Sequence, residues 1–309
     1  MAPVVLVVVA LAAGGVGYGV LVERSWYRVV RVRLPILPTG VGRTLTVLHL
    51  SDLHFVRSDR RKARFLASLP VADVTVVTGD FLGEPQAVDE TVAAVRPVRG
   101  AIASWFVLGS HDYFAPRPLN YFAYFRKQRV RRFARRGRAP DLVRALAAEG
   151  WEDLTNMHRE VSLEGFEVEL LGLDDAHIRR QDLRLAPRTS PERFGIAVMH
   201  SPDVAPEAAA LGYRLLFAGH THGGQVRLPF VGALVTNSTM PRRLVSGLIR
   251  MGSAVLHISA GLGTGKYAPF RFWCRPEATI LELEPAPSHR PASIDVTAAS
   301  SGPAPGPSR

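Results

Sequence analysis

The chain has 309 residues, of which 47% are hydrophobic, 21% charged and 8% aromatic; this excludes a wholly disordered, collagen-like or disulfide-stapled protein. Its one cysteine, Cys274, has no partner for an internal disulfide and reads as a small buried hydrophobe. The formal charge is +11, yet eight basic side chains fall within residues 126–138, RKQRVRRFARRGR, so any argument from charge concerns that segment.

Taken in chain order, residues 3–22 carry no charge, and 20 residues are about what a helix needs to cross a ~30 Å hydrocarbon core. The run reads as a single-pass membrane anchor. A cleaved signal peptide is the rival, because Ala10-Leu11-Ala12 resembles a cleavage site, but no Lys or Arg precedes the apolar run. Arg24, Arg28, Arg31 and Arg33 follow it, so residues 1–34 read as an anchor with a juxtamembrane linker. The positive-inside rule then places the remainder at the cytoplasmic face.

Short apolar runs predict strands at 45–50, 74–78, 104–108, 168–173, 195–199, 215–218, 254–259 and 279–283, and amphipathic stretches predict helices at 60–68, 87–95, 140–149 and 206–211. Interleaved strands and helices indicate an α/β domain over residues 44–284. Residues 285–309, rich in Pro, Ala, Ser and Gly, read as a disordered tail.

Five of these strands end in polar residues of metal-binding type. LTVLHLSDLH supplies Asp52 and His54, VTVVTGD supplies Asp80, and WFVLGSHD supplies Ser110, His111 and Asp112. GIAVMHSPD supplies His200, and LLFAGHTHGG supplies His220 and His222. Carboxyl ends of strands in an open α/β sheet converge on one crevice. Two divalent cations ~3.5–4 Å apart need a bridging carboxylate, neutral imidazoles and further oxygens, and Asp80 beside Gly79 is the natural bridge. A single histidine after a strand is ordinarily hydrogen-bonded or solvated, and His49, His158, His177, His257 and His289 keep that reading. Asp112 orients His111 or caps a turn. Asp174 and Asp175 form an acidic turn near the site or a solvated one.

The ordered blocks DLH, GD, GSHD, MHSPD and GHTHGGQ resemble the calcineurin-like metallophosphoesterase superfamily. With GLGTGKYAPFRF and RPEATILEL, the chain is similar to a membrane-associated bacterial branch, the phosphodiesterases of the YaeI and YkuE type. The resemblance implies a two-sheet sandwich flanked by helices in four αββα layers, with the site at the mouth between the sheets. It implies two divalent metal ions, Mn, Fe or Zn: Asp52, His54 and His222 on the first, His200 and His220 on the second, Asp80 between them. His111 matches the family histidine that protonates the leaving group, while a hydroxide between the cations attacks phosphorus. One position departs from the pattern, because Ser110 stands where the family block has Asn. The second site is then looser, binds through water, or recruits His111.

Residues 117–138 form a basic, aromatic insertion containing NYFAYFRKQRVRRFARRGR. It reads as a solvated basic helix, as a helix lying on anionic membrane lipid, or as a nucleic-acid surface; the apolar run at residues 3–22 favours lipid. The reading as a whole is a membrane-anchored phosphoesterase acting on a phosphate ester or pyrophosphate of a lipid- or nucleotide-linked substrate. A catalytically weak metal-binding scaffold on membranes and a metal-dependent nuclease are its rivals. No feature of the sequence sets an oligomeric state.

Overall fold

The strand-forming runs assemble into two six-stranded sheets packed face to face, in a computed structural model that describes residues 2–116 and 136–287. The first sheet contains β1 (Arg28–Leu37), β2 (Leu45–Leu50), β3 (Val74–Thr78), β4 (Ala103–Val107), β5 (Glu152–Asp153) and β14 (Glu277–Pro285), in the order β1-β14-β2-β3-β4-β5. The second contains β6 (Met157–Leu163), β7 (Phe166–Leu173), β8 (Phe194–Met199), β9 (Leu215–Ala218), β12 (Gly247–Met251) and β13 (Ala254–Ile258), in the order β12-β13-β9-β8-β7-β6. A short hairpin, β10 (Arg227–Leu228) with β11 (Gly232–Ala233), stands apart from both.

The period-two geometry of a strand sends alternate side chains to opposite faces. Val74 and Val76 of β3 join Ile196 and Val198 of β8 in the layer between the sheets, with Val47, Val107, Phe217 and Val255. The outward Val77, with Leu48, Leu50 and Phe106, packs beneath α2 (Arg60–Ala67), α3 (Val88–Val95) and α5 (Ala139–Ala148) through Leu66, Val92, Val95, Leu142 and Leu146. On the far side, Ala197 and Met199 face Ala205 and Ala208 of α6 (Ala205–Ala210). Strands covered on both faces read as unbroken apolar runs, which is why the central strands were visible in the sequence. The fold is the expected four-layer αββα sandwich.

All four edge strands escaped the sequence reading, and β5, with two residues, is too short to leave a pattern. β6 and β12 border the second sheet and are largely polar or half-exposed, so an apolar-run template passes over them. β1 occupies part of the expected juxtamembrane linker. It runs parallel to β14, and its arginines pair with that strand: Arg28 with Glu277 at 2.6 Å, and Arg31 and Arg33 with Glu282 at 3.6 and 3.1 Å. Leu34 and Leu37 are buried in the layer between the sheets. The alternation of Val and Arg in 28–33 is thus a strand signal as well as a charge signal.

Ahead of β1, α1 (Ala2–Leu21) is a continuous helix whose apolar side chains, among them Val5, Leu6 and Leu11, are exposed. It is long and apolar enough to cross a membrane. Its last turns rest on residues 271–274: the Arg271 N–H donates to the Gly19 carbonyl at 3.2 Å, and the Tyr18 and Phe272 rings meet edge to face. Glu23, one turn on, accepts the Trp273 N–H at 2.9 Å. Residues 117–135 of the basic insertion and 288–309 of the tail, with His289, lie outside the described residues.

Candidate metal centre

The turns that follow β2, β3, β4, β8 and β9 meet at one end of the sandwich. Asp52, His54, Asp80, His220 and His222 all adopt the left-handed backbone region, with φ between +43° and +66°. Each such residue costs about 1–3 kcal/mol unless its surroundings impose it, and Asp and His tolerate it better than most side chains. Glycine is required beside them. Gly79 has φ +85°, and a Cβ there would lie 2.8 Å from His200 Nδ1; a Cβ on Gly109 would collide with the Asp80 carboxylate.

The donor atoms converge. His54 Nε2 lies 3.3 Å from His222 Nε2, and Asp52 Oδ1 lies 3.3 Å from His222 Nε2 and 3.9 Å from His54 Nε2. Asp80 Oδ2 stands between two imidazoles, 3.6 Å from His54 Nε2 and 3.5 Å from His200 Nε2. His220 Nδ1 lies 3.2 Å from His200 Nε2. Donors held at ~2.0–2.2 Å from one cation at tetrahedral or octahedral angles stand roughly 3.0–3.5 Å apart, so these spacings suit metal ligation.

Hydrogen bonding gives an independent test of that fit. Asp52 Oδ2 accepts the Ser51 hydroxyl at 2.7 Å and the His220 N–H at 3.0 Å, whereas Oδ1 is buried with no hydrogen-bond partner among the described residues. The His54 and His222 rings are stacked, only 16° from parallel, which is a poor geometry for a hydrogen bond between them. His200 Nδ1 faces the Thr78 carbonyl at 2.6 Å, and His220 Nε2 faces the Asn237 carbonyl at 3.3 Å. A carbonyl only accepts, so each of these nitrogens carries a proton, which leaves His200 Nε2 and His220 Nδ1, 3.2 Å apart, as the ring atoms turned toward the site. Burial holds His54, His220 and His222 below the ordinary imidazole range, which keeps them neutral donors. At His200 burial acts in the same direction, but the carboxylates of Asp80, Asp175 and Asp52 outweigh it and raise the pKa. Asp80 shows the reciprocal balance: burial pushes it up, and His200, His111 and His54 hold it well below the carboxylate range. A cation between these groups would replace the shared proton.

His111 opens α4 (Ser110–Tyr113) with Ser110. Its N–H donates to Asp80 Oδ1 at 2.8 Å, and its ring meets that of His54 edge to face at 4.7 Å. His54, Asp80 and His111 bring donor atoms within 4.8 Å of one another. Asp112 neither orients the His111 ring nor only caps a turn. Its Oδ1 accepts the Leu82 N–H at 3.1 Å and its Oδ2 the Gly109 N–H at 3.0 Å, tying the turn after β4 to the turn after β3. Burial, reinforced by Asp80, pushes its pKa up to about 8.

Of the further neighbours, the acidic turn of Asp174 and Asp175 was singled out in the sequence, whereas the roles of His177, Lys62 and Arg271 were not. Asp174 and Asp175 are buried, not solvated; Asp174 accepts from Tyr113 and Arg180, and Asp175 accepts the His177 N–H at 2.8 Å. The His177 ring lies against His220 with centroids 4.3 Å apart. Lys62 is buried and donates to the carbonyls of Leu53 and His54. Arg271 is wholly buried, its guanidinium donating to the carbonyls of Ala260 at 2.8 Å, Gly261 at 3.2 Å and Gly263 at 2.7 Å. Gly263 N–H in turn donates to Asp52 O at 2.6 Å. Two buried cations therefore brace the loop that carries Asp52 and His54; Lys62 lies outside the quoted sequence blocks, and Arg271 falls within GLGTGKYAPFRF, where the sequence showed no role for it.

A family model for the calcineurin-like phosphoesterase domain matches residues 45–224. The chain is 26% identical over 284 residues to the uncharacterized metallophosphoesterase YkuE of Bacillus subtilis strain 168, a match covering 88% of this chain and 91% of YkuE. It is 24% identical over 277 residues to the phosphodiesterase YaeI of Escherichia coli K12, covering 88% and 93%. It is 25% identical over 281 residues to the UDP-2,3-diacylglucosamine pyrophosphatase LpxG of Chlamydia trachomatis, covering 77% and 83%. The chain belongs to the calcineurin-like phosphoesterase family and is a hydrolase of phosphate-ester bonds.

Proposed function

We propose that the protein is a membrane-anchored phosphoesterase that uses two divalent cations, Mn, Fe or Zn, to hydrolyse a phosphate ester or pyrophosphate bond. The observation that carries this reading is the buried Asp52 Oδ1, which has no hydrogen-bond partner among the described residues and lies 3.3 Å from His222 Nε2, together with His200 Nε2 and His220 Nδ1, whose opposite ring nitrogens face the carbonyls of Thr78 and Asn237. Asp52, His54 and His222 would hold the first cation, His200 and His220 the second, and Asp80 both. Bound there, the cations would supply Lewis-acid polarisation of the phosphoryl group and an activated water.

The remaining work falls to the chain. Asp80 is fixed in rotation because its Oδ1 accepts the His111 N–H, so Oδ2 stays aimed between His54 and His200. His111 Nδ1 is buried with no hydrogen-bond partner among the described residues, and in this reading the imidazole holds the proton that passes to the leaving oxygen. A second role for His111 has its own support, since one of its donor atoms lies close to those of His54 and Asp80: ligand of a cation, in place of the amide that Ser110 lacks. Metal content of His111→Ala separates the two roles, with two cations retained for the proton donor and one lost for the ligand.

The lipid- or nucleotide-linked substrate is supported by a cavity of about 790 Å³ beside α4, whose wall joins Leu108, Phe114 and Val143 to Arg144 and Arg180. Apolar and cationic walls together suit a substrate that couples an apolar body to an anionic group. The apolar α1, followed by Arg24, Arg28, Arg31 and Arg33, supports anchoring with the domain at the cytoplasmic face. Full-length protein in detergent, supplied with Mn, should hydrolyse bis-p-nitrophenyl phosphate, and Asp80→Asn should abolish turnover and lower metal content. Full turnover in that variant rejects the metal mechanism.

A further inference from the structure

The hairpin after the H-x-H turn has an unusual surface. His222 is followed within three residues by Gln225, and the chain then forms β10, an exposed tip at residues 229–231, and β11. Phe230 at the tip is fully exposed, Val231 is 66% exposed, and Leu228 and Leu234 flank them at 39% and 37%. A phenylalanine exposed at the end of a hairpin leaves its whole ring in water unless something else covers it.

The position of α1 indicates what covers it. The hairpin is bonded to Phe272 at both ends of one residue: Arg227 N–H donates to the Phe272 carbonyl at 2.8 Å, and Phe272 N–H donates to Gln225 O at 3.0 Å. Phe272 in turn packs on α1, where a Cβ on Gly15 would lie 3.6 Å from its ring. Gly15 lies seven residues inside Val22, which at 1.5 Å per residue is about 10 Å along the helix. The headgroup layer and outer acyl boundary extend over a depth of about 5–10 Å. If α1 spans the bilayer, Phe272 and the hairpin joined to it cannot stand clear of the lipid. The same edge carries Trp26 and Trp273, 50% and 48% exposed, side chains that favour the interface. Arg24, Arg242 and Arg243 are exposed, and Arg242 donates to the carbonyl of Leu234, which places a cation beside the hairpin.

We propose that the hairpin tip at residues 229–231, with Trp26 and Trp273, is a membrane-docking face that inserts into the leaflet from which α1 emerges and holds the metal centre at the lipid–water boundary. This rests on the reading of α1 as a membrane anchor. The occupant is a lipid bilayer, since the face is continuous with the apolar helix and rimmed by arginine.

Nitroxide labels on full-length protein in vesicles of phosphatidylcholine and phosphatidylglycerol test it, with Phe230→Cys, Val71→Cys and Val7→Cys made singly; Cys274 is buried. Val71 is exposed at the opposite end of β3 from Asp80 and serves as the aqueous control. The expected result is a severalfold higher ratio of oxygen to nickel-chelate collision at 230 than at 71, approaching the ratio at 7. A lipid-like ratio at 7 with equal ratios at 230 and 71 overturns the docking face and leaves the anchor intact. A water-like ratio at 7 removes the anchor and the docking face together.

Discussion

His49 of β2 and His257 of β13 meet across the sandwich with their Nδ1 atoms 2.6 Å apart, and His49 Nε2 lies 3.0 Å from Thr78 Oγ1. Both rings are buried, one Nδ1 donates while the other accepts, and burial disfavours a charge on either ring. Burial lowers both pKa values, that of His257 to about 4. A folded-state pKa below the unfolded value near 6.5 gives stability that is present above pH 6.5 and lost as pH falls toward 4. For His257 the loss is roughly 3 kcal/mol at 1.36 kcal/mol per unit. We expect His257→Asn to be less stable at neutral pH yet to lose less stability than the wild type between pH 7 and 4.5, as read by thermal unfolding. Parallel pH profiles for the two proteins would refute this account.

The Asp112 carboxylate gives a second prediction. It accepts two backbone N–H groups from turns that present His111 and Asp80, so its removal strands two buried donors at about 1–3 kcal/mol each. Asp112→Asn keeps the volume but turns an N–H₂ toward one of those donors. Groups that orient metal ligands typically contribute about 10–100-fold in metal affinity or activity. We expect Asp112→Asn to weaken Mn binding by about that factor, by calorimetric titration, with Asp112→Ala weaker still and less stable. Unchanged affinity in both would show that the two turns hold their places without the brace.

The contrast between what the sequence displayed and what it hid follows from how side chains report their surroundings. Central strands such as β3 and β8 are covered on both faces and announce themselves as apolar runs, and the polar residues just after them had only one place to converge. An α/β fold with buried sheets and the meeting of Asp52, His54, Asp80, His200, His220 and His222 were therefore readable in advance, whereas the two-sheet αββα layering was implied by the family resemblance. β1 was not, because Arg28, Arg31 and Arg33 look like charges flanking an anchor until Glu277 and Glu282 are placed opposite them. Lys62 and Arg271 were hidden for a related reason: a buried cation is recognised by the carbonyls around it, and those come from loops remote in sequence. His177 read as an ordinary histidine because its neighbour His220 is 43 residues away.

The position of β1 also decides where the apolar helix α1 can be cut away. Cutting away residues 1–34 would delete seven residues of the strand, expose the edge of β14 and take Leu34 out of the layer between the sheets. Loss of one such buried leucine alone costs about 2–5 kcal/mol. A chain lacking residues 2–13 keeps Gly15, Gly19 and Glu23 against residues 271–274 and retains β1 whole. In matched detergent we expect the shorter deletion to unfold near the full-length midpoint, and the longer one to be aggregated or severely destabilised. A monodisperse protein of normal midpoint lacking residues 1–34 would show that β1 is dispensable.

Ser110 offers the sharpest test of how the second cation would be held. It opens α4 half-buried, one residue before His111, whose N–H is fixed on Asp80 Oδ1. A serine hydroxyl reaches less far than an amide carbonyl and is the weaker donor, so Ser110→Asn should add a ligand to the His200 and His220 side and leave the Asp52, His54 and His222 side unchanged. We expect the weaker of two Mn binding steps to tighten by about tenfold, on the scale by which single groups around a metal alter its affinity, with the tighter step constant. The same variant bears on His111. If His111 serves as a stand-in ligand, the introduced amide makes it redundant for metal, and His111→Ala then lowers Mn content in the wild-type background but not in Ser110→Asn. If His111 carries the leaving-group proton, Mn content is indifferent to His111→Ala in both backgrounds while turnover falls in both.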